Sequence, residues 1–455
     1  RDVTVREVLE QASKRAPERL ADKPLTLSFL DETIGRAFIA LGSWDEALIH
    51  LRRALDLRTQ ELGPTDRLTL RAANSLAVEL RNAGRLTEAA SMLEKLNTDT
   101  LAAYGPDHHN PYIVRTNLAR ALQLTSRRDR VLALFDEAIE GLVRARGMDH
   151  LLTREVRLHR AGFLAETGTP RDAIPLLDAL LAEIDSDQEM AGSTTEGRTR
   201  LARARALLMT GALEAARDEA ERAELVLAAR LPAGHEDVLA TLDVRATALE
   251  RLAQRDAARQ LRRDALQRTE GRPAFVRAGV AIALVRSRDE EIPVAEIENA
   301  LRNASAAVDA APEVQARVHG SLRVALAELA LRTGDAQTAE VQADVGLSLI
   351  RSEQGTLHPD AVHARIILSR AKHARGRSRE AIADLDALVA ELDAAGSPDT
   401  LARARADLAR SLILAAVEAS EEARARVLSV ASELEAMLAA SDPEVIEARA
   451  SLGPG

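Results

Sequence analysis

The sequence predicts an all-α chain, a right-handed superhelical solenoid of about ten helix–turn–helix repeats. Three observations carry that expectation. The apolar residues are chiefly Ala and Leu, a turn residue recurs about every 42 positions, and two columns of small residues keep the same spacing.

Hydrophobic residues make up 46 % of the 455, yet aromatics only 2 %. Ala and Leu are the strongest helix formers and fill the wide core of a sandwich or barrel poorly. The chain therefore reads as nearly all helix.

The turn column runs Gly42, Gly84, Ser126, Gly168, Gly211, Ala253, Gly334 and Gly376, in steps of 42, 42, 42, 43, 42, 81 and 42. The 81-residue step holds two units, the seventh with an irregular turn near Arg288, and a tenth unit turns near Glu418. Seven residues before each turn stand Gly35, Ala77, Ala119, Ala161, Ala204, Ala246, Ala327 and Ser369. Five after it stand Ala47, Ala89, Val131, Ala173, Ala216, Ala258, Ala339, Ala381 and, in the tenth unit, Ala423. A small residue at a fixed site lets two helix axes approach closely. Apolar residues at helical spacing supply the rest: Leu48, Leu51 and Leu55 correspond to Ala90, Leu93 and Asn97, the Asn breaking the match. Gly63-Pro64, Gly105-Pro106, Gly147 and Gly355 before His358-Pro359-Asp360 close their units, Gly suiting a helix end and Pro a helix start. Each unit is then helix A, a short turn, helix B and a longer loop. One unit cannot bury its own apolar face, so the units stack.

An N-terminal segment 1–24 holds a capping helix from about Thr4 to Arg19. Regular repeats 1–6 occupy 25–270, degenerate repeats 7–10 occupy 271–442, and 443–455 form a partial helix and tail. The polar stretch Asp185–Gly197 reads as a mobile insertion. The chain begins with Arg1 rather than Met, and so reads as a piece of a longer protein.

Composition excludes several classes of function. With no cysteine there is no disulfide framework, thiolate metal site or cysteine nucleophile. A net charge of −10 opposes nucleic-acid binding as the main task. No run of 18 apolar residues exists to span a membrane, and no signal peptide opens the chain.

Gly42-Ser-Trp-Asp-Glu-Ala-Leu and Gly84-Arg-Leu-Thr-Glu-Ala-Ala resemble the helix A–helix B turn of tetratricopeptide repeats. The 42-residue period, Asn74-Ser-Leu-Ala, Thr116-Asn-Leu-Ala and the Gly-Pro-Asp-His loop at 105–108 resemble the kinesin-light-chain type. The run Arg1-Asp-Val-Thr-Val-Arg-Glu-Val-Leu-Glu, with Ile34-Gly-Arg-Ala-Phe and Leu41-Gly, resembles the segment opening the repeat region of bacterial receptor-like serine/threonine protein kinases. That resemblance implies a non-catalytic sensor or docking region, in the bacterial cytoplasm or, beyond a membrane-spanning kinase, on the extracytoplasmic side. A free-standing adaptor, or the repeat region of a signalling ATPase or transcription regulator, stays open.

Local context points to no catalytic residue, cofactor or metal. Gly192-Ser-Thr-Thr-Glu-Gly197-Arg198-Thr199 looks like a phosphate-binding loop, but helix rather than strand precedes it. His108 and His109 are adjacent, and His358 and His363 are five apart, so neither pair shares a helix face for a metal. His108 and His358 read instead as loop residues capping the next helix. No Ser-His-Asp arrangement is suggested.

The remaining candidate is the inner groove, which in tetratricopeptide repeats is lined by helix A. Carrying the register over, its exposed positions are Arg36, Arg71, Asn74, Arg81, Asn82, Asn117, Arg120, Gln123, His159, Arg198 and Arg205. An amide can bridge a peptide backbone with donor and acceptor together, and Arg can grip a carboxylate bidentately. The expected partner is a protein or peptide of acidic character, with no nucleic acid, no membrane contact by this segment, and a homodimer through a solenoid end left open.

Overall fold

The computed structural model describes residues 4–41, 43–83, 85–123, 130–166, 169–270, 274–287, 291–309, 316–395, 400–418, 420–437 and 443–451. Among them are 22 helices and no strand. The chain divides into two compact units between Val156 and Arg157.

In the first unit α1 (Val5–Arg19) precedes three helix pairs, α2 (Pro24–Ala40) with α3 (Trp44–Leu62), α4 (Arg67–Asn82) with α5 (Leu86–Tyr104), and α6 (Asn110–Leu122) with α7 (Val131–Arg146). The boundary falls inside α8 (Leu151–Glu166), whose residues Leu158, Ala161 and Ala165 pack on α9 (Pro170–Asp185). The second unit continues with α10 (Thr194–Met209), α11 (Leu213–Ala228), α12 (Glu236–Arg251), α13 (Arg255–Arg268), α14 (Ala274–Arg286) and α15 (Val294–Asp309). It ends with α16 (Ala316–Arg332), α17 (Ala336–Gln354), α18 (Pro359–Ala374), α19 (Ser378–Ala394), α20 (Thr400–Glu418), α21 (Glu421–Met437) and α22 (Pro443–Ala450). Helices α2 to α21 follow one another as ten pairs, with α1 before them and α22 after them.

Both small-residue columns are buried. Ala77, Ala119, Ala204, Ala246 and Ala327 are 0 % exposed in helix A, as are Ala47, Ala89, Val131, Ala173 and Ala216 in helix B. At Gly35 the approach is close: a Cβ there would lie 3.1 Å from Leu51 Cγ and 3.2 Å from the Ala47 carbonyl. Leu48, Leu51, Leu76, Leu80 and Ala89 form one apolar cluster between neighbouring pairs. Asn97 is engaged rather than misplaced, its Oδ1 accepting from Arg115 Nε at 3.2 Å.

Where the turns are described, their column is left-handed. Gly211, Gly334 and Gly376 have φ of 80°, 83° and 81°, and Ala253 takes 60° at the same position. Gly42, Gly84, Ser126, Gly168 and Arg288 lie outside the described residues, and Glu418 is the last residue of α20.

A further column starts the A helices. Eighteen residues before the turn stand Asp66, His108, His150, Ser193, His235 and His358. Each accepts a backbone N–H at the head of the next helix: Asp66 from Leu68, His108 from Asn110, His150 from Leu152, His235 from Asp237 and His358 from Asp360, at 2.8 to 3.2 Å. Ser193 accepts from Glu196 at 3.2 Å. A helix leaves its first N–H groups unsatisfied, so an acceptor here stabilises each helix start.

The Asp185–Gly197 stretch is shorter as a loop than expected. Asp185 ends α9, and Thr194 to Gly197 already form the first turn of α10, where Glu196 and Gly197 are buried. A Cβ on Gly197 would meet Leu227 Cγ at 2.5 Å, so glycine here admits α11.

The A helices also touch one another directly: α4 with α6 in the first unit, and each even-numbered neighbour from α10 to α20 in the second. Among the described residues the second helices of the pairs show no comparable contacts. Within each unit the A helices therefore line the tighter inner face.

Candidate partner-binding face

On the first unit's inner face, α2, α4 and α6 bring amide and guanidinium groups together. Asn117 Nδ2 donates to Asn74 Oδ1 at 3.0 Å. Asn117 is 9 % exposed, more enclosed than a groove residue was expected to be. The Asn74 amide nitrogen and the Asn117 carbonyl make no further hydrogen bond, so the pair presents one donor and one acceptor. Arg71 is exposed a turn before Asn74, and Arg36 is exposed while donating to Glu32. Arg81 donates through Nε and Nη2 to Asn82 Oδ1, and Asn82 Nδ2 donates to Glu79 Oε2 at 3.1 Å. Arg120 and Gln123 are half-buried on α6 and at its C-cap.

The other three candidates belong to the second unit. Arg198 is exposed with its Nε on Asp237 Oδ2 at 2.9 Å, Arg205 is exposed, and His159 is half-buried.

Residues 8–96 match the tetratricopeptide repeat family model. The match spans most of α1, all of α2 to α4 and the first part of α5. A Podosopora anserina protein assigned as a kinesin light chain, with nearly identical TPR-like repeats, is 18 % identical, covers 47 % of this chain and 97 % of its own, and superposes with a TM-score of 0.38. A Rap protein complexed with competence and sporulation factor is 15 % identical, covers 75 % of this chain and 99 % of its own, and gives 0.45. No curated protein matches significantly.

Within residues 8–96 the structure assembles a chain that local sequence does not suggest. Ser13 Oγ lies 2.9 Å from His50 Nε2, and His50 Nδ1 lies 2.8 Å from Asp31 Oδ1. The order is that of a hydrolase triad, but the surroundings are structural. Asp31 is 0 % exposed and His50 3 %. Arg53 Nε also holds Asp31 at 2.6 Å. Burial would raise the Asp31 carboxyl, but the hydrogen bonds from His50 and Arg53 outweigh it and hold it below 3.8. Ser13 sits mid-helix in α1, where the helix ladder engages the backbone N–H groups, so no oxyanion hole forms beside it. The chain ties α1 to α2 and α3.

Two further features lie in the second unit. A cavity of about 340 Å³ opens between A helices from α8 to α22, with Arg251, Arg286, Glu328, His363 and Arg405 on its wall. A more apolar one of about 400 Å³ adjoins it through His363, Ile366, Arg405 and Glu444, floored by Leu331, Ile367, Leu408 and Leu412. Sequence reading placed binding only in the regular N-terminal repeats, because no linear motif marks residues that seven different helices contribute. At Gly192–Thr199, Glu196 Oε2 accepts from the Gly192 N–H at 2.6 Å, so the helix start is occupied by the chain's own carboxylate. Among the described residues no three His or carboxylate groups are placed to hold a metal, and no helix is long and apolar enough to cross a membrane.

Proposed function

We propose that this chain is a protein-binding scaffold whose inner helix A face takes a peptide or protein partner of acidic character. The observation that carries this reading is the Asn74–Asn117 pair, which keeps a donor and an acceptor open between α4 and α6. A peptide bond offers the complementary pair, and Arg71 and Arg120 flank it with positive charge. Arg36, Arg81, Asn82 and Gln123 extend the face in the first unit. His159, Arg198 and Arg205 are its proposed counterparts in the second.

The N-terminal sequence supports a more specific reading, that of the sensor or docking region of a bacterial receptor-like serine/threonine kinase. The segment itself is proposed to be non-catalytic.

The test is the triple variant Asn74→Ala, Asn117→Ala and Arg120→Ala, compared with wild type by cross-linking capture and then calorimetry on the captured partner. Loss of capture with an unchanged helical spectrum is expected. Undiminished affinity in the triple variant would sink the reading.

A further inference from the structure

One arginine of the second unit departs from its register mates. Arg251, Arg286 and Arg332 each stand two positions before a turn, at Ala253, at the irregular turn near Arg288 and at Gly334. Arg251 donates to the Leu208 carbonyl at 3.2 Å and Arg332 to the Val285 carbonyl at 3.3 Å, each in the last turn of the preceding A helix. Arg286 ends α14, is exposed, and makes no hydrogen bond or ion pair among the described residues. It lines the cavity of about 340 Å³ instead.

Unpaired arginines are ordinary on an open helix face, so the cavity decides what this one does. Every other charged side chain on its wall is engaged: His363 with Glu328, Arg405 Nε with Glu444 at 2.8 Å, and Glu166, Arg251 and Asp360 with partners of their own. The adjoining cavity of about 400 Å³ adds a closed pair, Arg370 with Glu447 at 2.7 Å, above its floor of Leu331, Ile367, Leu408 and Leu412. The two ends of the second unit's stack approach each other here. Glu166 of α8 and Glu444 of α22 line one cavity, and Met209 of α10 packs against the cluster of Leu401, Leu408 and Val445. Sites for small molecules have volumes of about 300–1,000 Å³, mostly apolar walls and a few polar groups that orient the ligand.

We propose that these adjoining cavities bind a small amphipathic monocarboxylate, with its carboxylate on Arg286 and its apolar body on the floor of the second cavity. The one uncommitted cation selects a single anionic group, which a guanidinium holds through two N–H donors. Glu166, Glu328, Asp360 and Glu444 on the same wall oppose a phosphate dianion. The floor rewards an apolar chain by taking it out of water. This inference goes beyond the peptide-binding reading, concerns other helices and stands or falls without it.

The full chain is titrated by calorimetry with octanoate, octanol, acetate and acetyl-trileucine bearing a free carboxyl, at constant ionic strength and below any micelle concentration. Octanoate is expected to bind about tenfold more tightly than octanol, and acetate not to bind. Arg286→Gln is expected to keep the wild-type helical spectrum and thermal midpoint, to bring octanoate down to the affinity of octanol, and to leave octanol unchanged. Leu412→Gln, on the floor, is expected to weaken both by about tenfold. Leu331→Gln takes its place if that variant fails to fold. No octanoate binding to wild type overturns the proposal, as does equal octanoate affinity in Arg286→Gln. Acetate binding as tightly as octanoate, or octanoate binding untouched by the floor variants, overturns it too. Acetyl-trileucine binding more tightly than octanoate overturns it in favour of a peptide C-terminus.

Discussion

Asn117 and Asn74 stand 43 residues apart in sequence, and one amide donates to the other across neighbouring A helices at 3.0 Å. The pair is both a tie within the stack and an open donor–acceptor edge. Each single Ala substitution is expected to lower stability by about 1 kcal/mol. The double variant is expected to cost less than the two singles added, with a coupling of about 0.5–1 kcal/mol. Denaturant midpoints of the four proteins check this, and strict additivity would mean that the bond contributes nothing.

Ala253 occupies a turn position where the other three described residues, Gly211, Gly334 and Gly376, are glycine, and it does so at φ 60°. A Cβ in the left-handed region costs about 1–2 kcal/mol. Ala253→Gly is expected to recover about 1 kcal/mol despite the extra freedom of glycine in the unfolded chain. Gly376→Ala, at φ 81°, is expected to lose a similar amount. Urea unfolding followed by helical signal distinguishes the two directions.

Histidine caps make the first unit sensitive to acid. Burial, then the charges of Arg67 and Arg146, hold His108 below its ordinary 6.5. Burial and Arg146, with His108 and His150, act in the same direction on His109. Above pH 6.5 both imidazoles are neutral in the folded and unfolded chain, and stability is complete. As pH falls through 6.5 the unfolded chain takes up protons first, so stability declines until the folded imidazoles protonate too. A protonated His108 also cannot accept the Asn110 N–H. His108→Asp, which installs the residue found at Asp66 in the preceding unit, is expected to flatten this decline. Thermal midpoints between about pH 5 and 7.5 test it, and an identical slope in the variant would remove His108 as the source.

The Ser13–His50–Asp31 chain is expected to behave as a tether. Ser13→Ala should weaken the docking of α1 by about 1 kcal/mol, seen as faster amide exchange over Val5–Arg19 with little change in α4 and α5. Wild-type chain should not react with a fluorophosphonate probe. Covalent labelling at Ser13 would contradict a purely structural role.

Much of the fold was legible in the sequence because its signals are local and repeated. A left-handed turn needs glycine at one position, and close helix approach needs a small residue at two others. Any residue with the wrong shape at those sites clashes in every unit alike. The histidine cap column has the same 42-residue spacing and was equally readable, yet only His108 and His358 were recognised as caps. His150 and His235 lacked the flanking Gly-Pro or Pro-Asp context that marked the other two.

The candidate site was legible only as a set of positions on helix A. Sequence placed Asn74, Asn117, Arg81 and Arg120 on one face, and nothing in it showed that Asn117 would bond to Asn74 or that Arg81 would be enclosed with one N–H unsatisfied. Those outcomes depend on the angle and rise between neighbouring pairs, which many weak packing contacts set together. The same holds for the cavities of the second unit, whose walls gather side chains from Glu166 to Glu444. The sequence by itself determined the helices, their pairing and their caps, since each follows from backbone conformation and residue size within a few positions. Tertiary structure alone decided which polar groups meet and which remain open, because hydrogen bonds form or fail within a few tenths of an ångström.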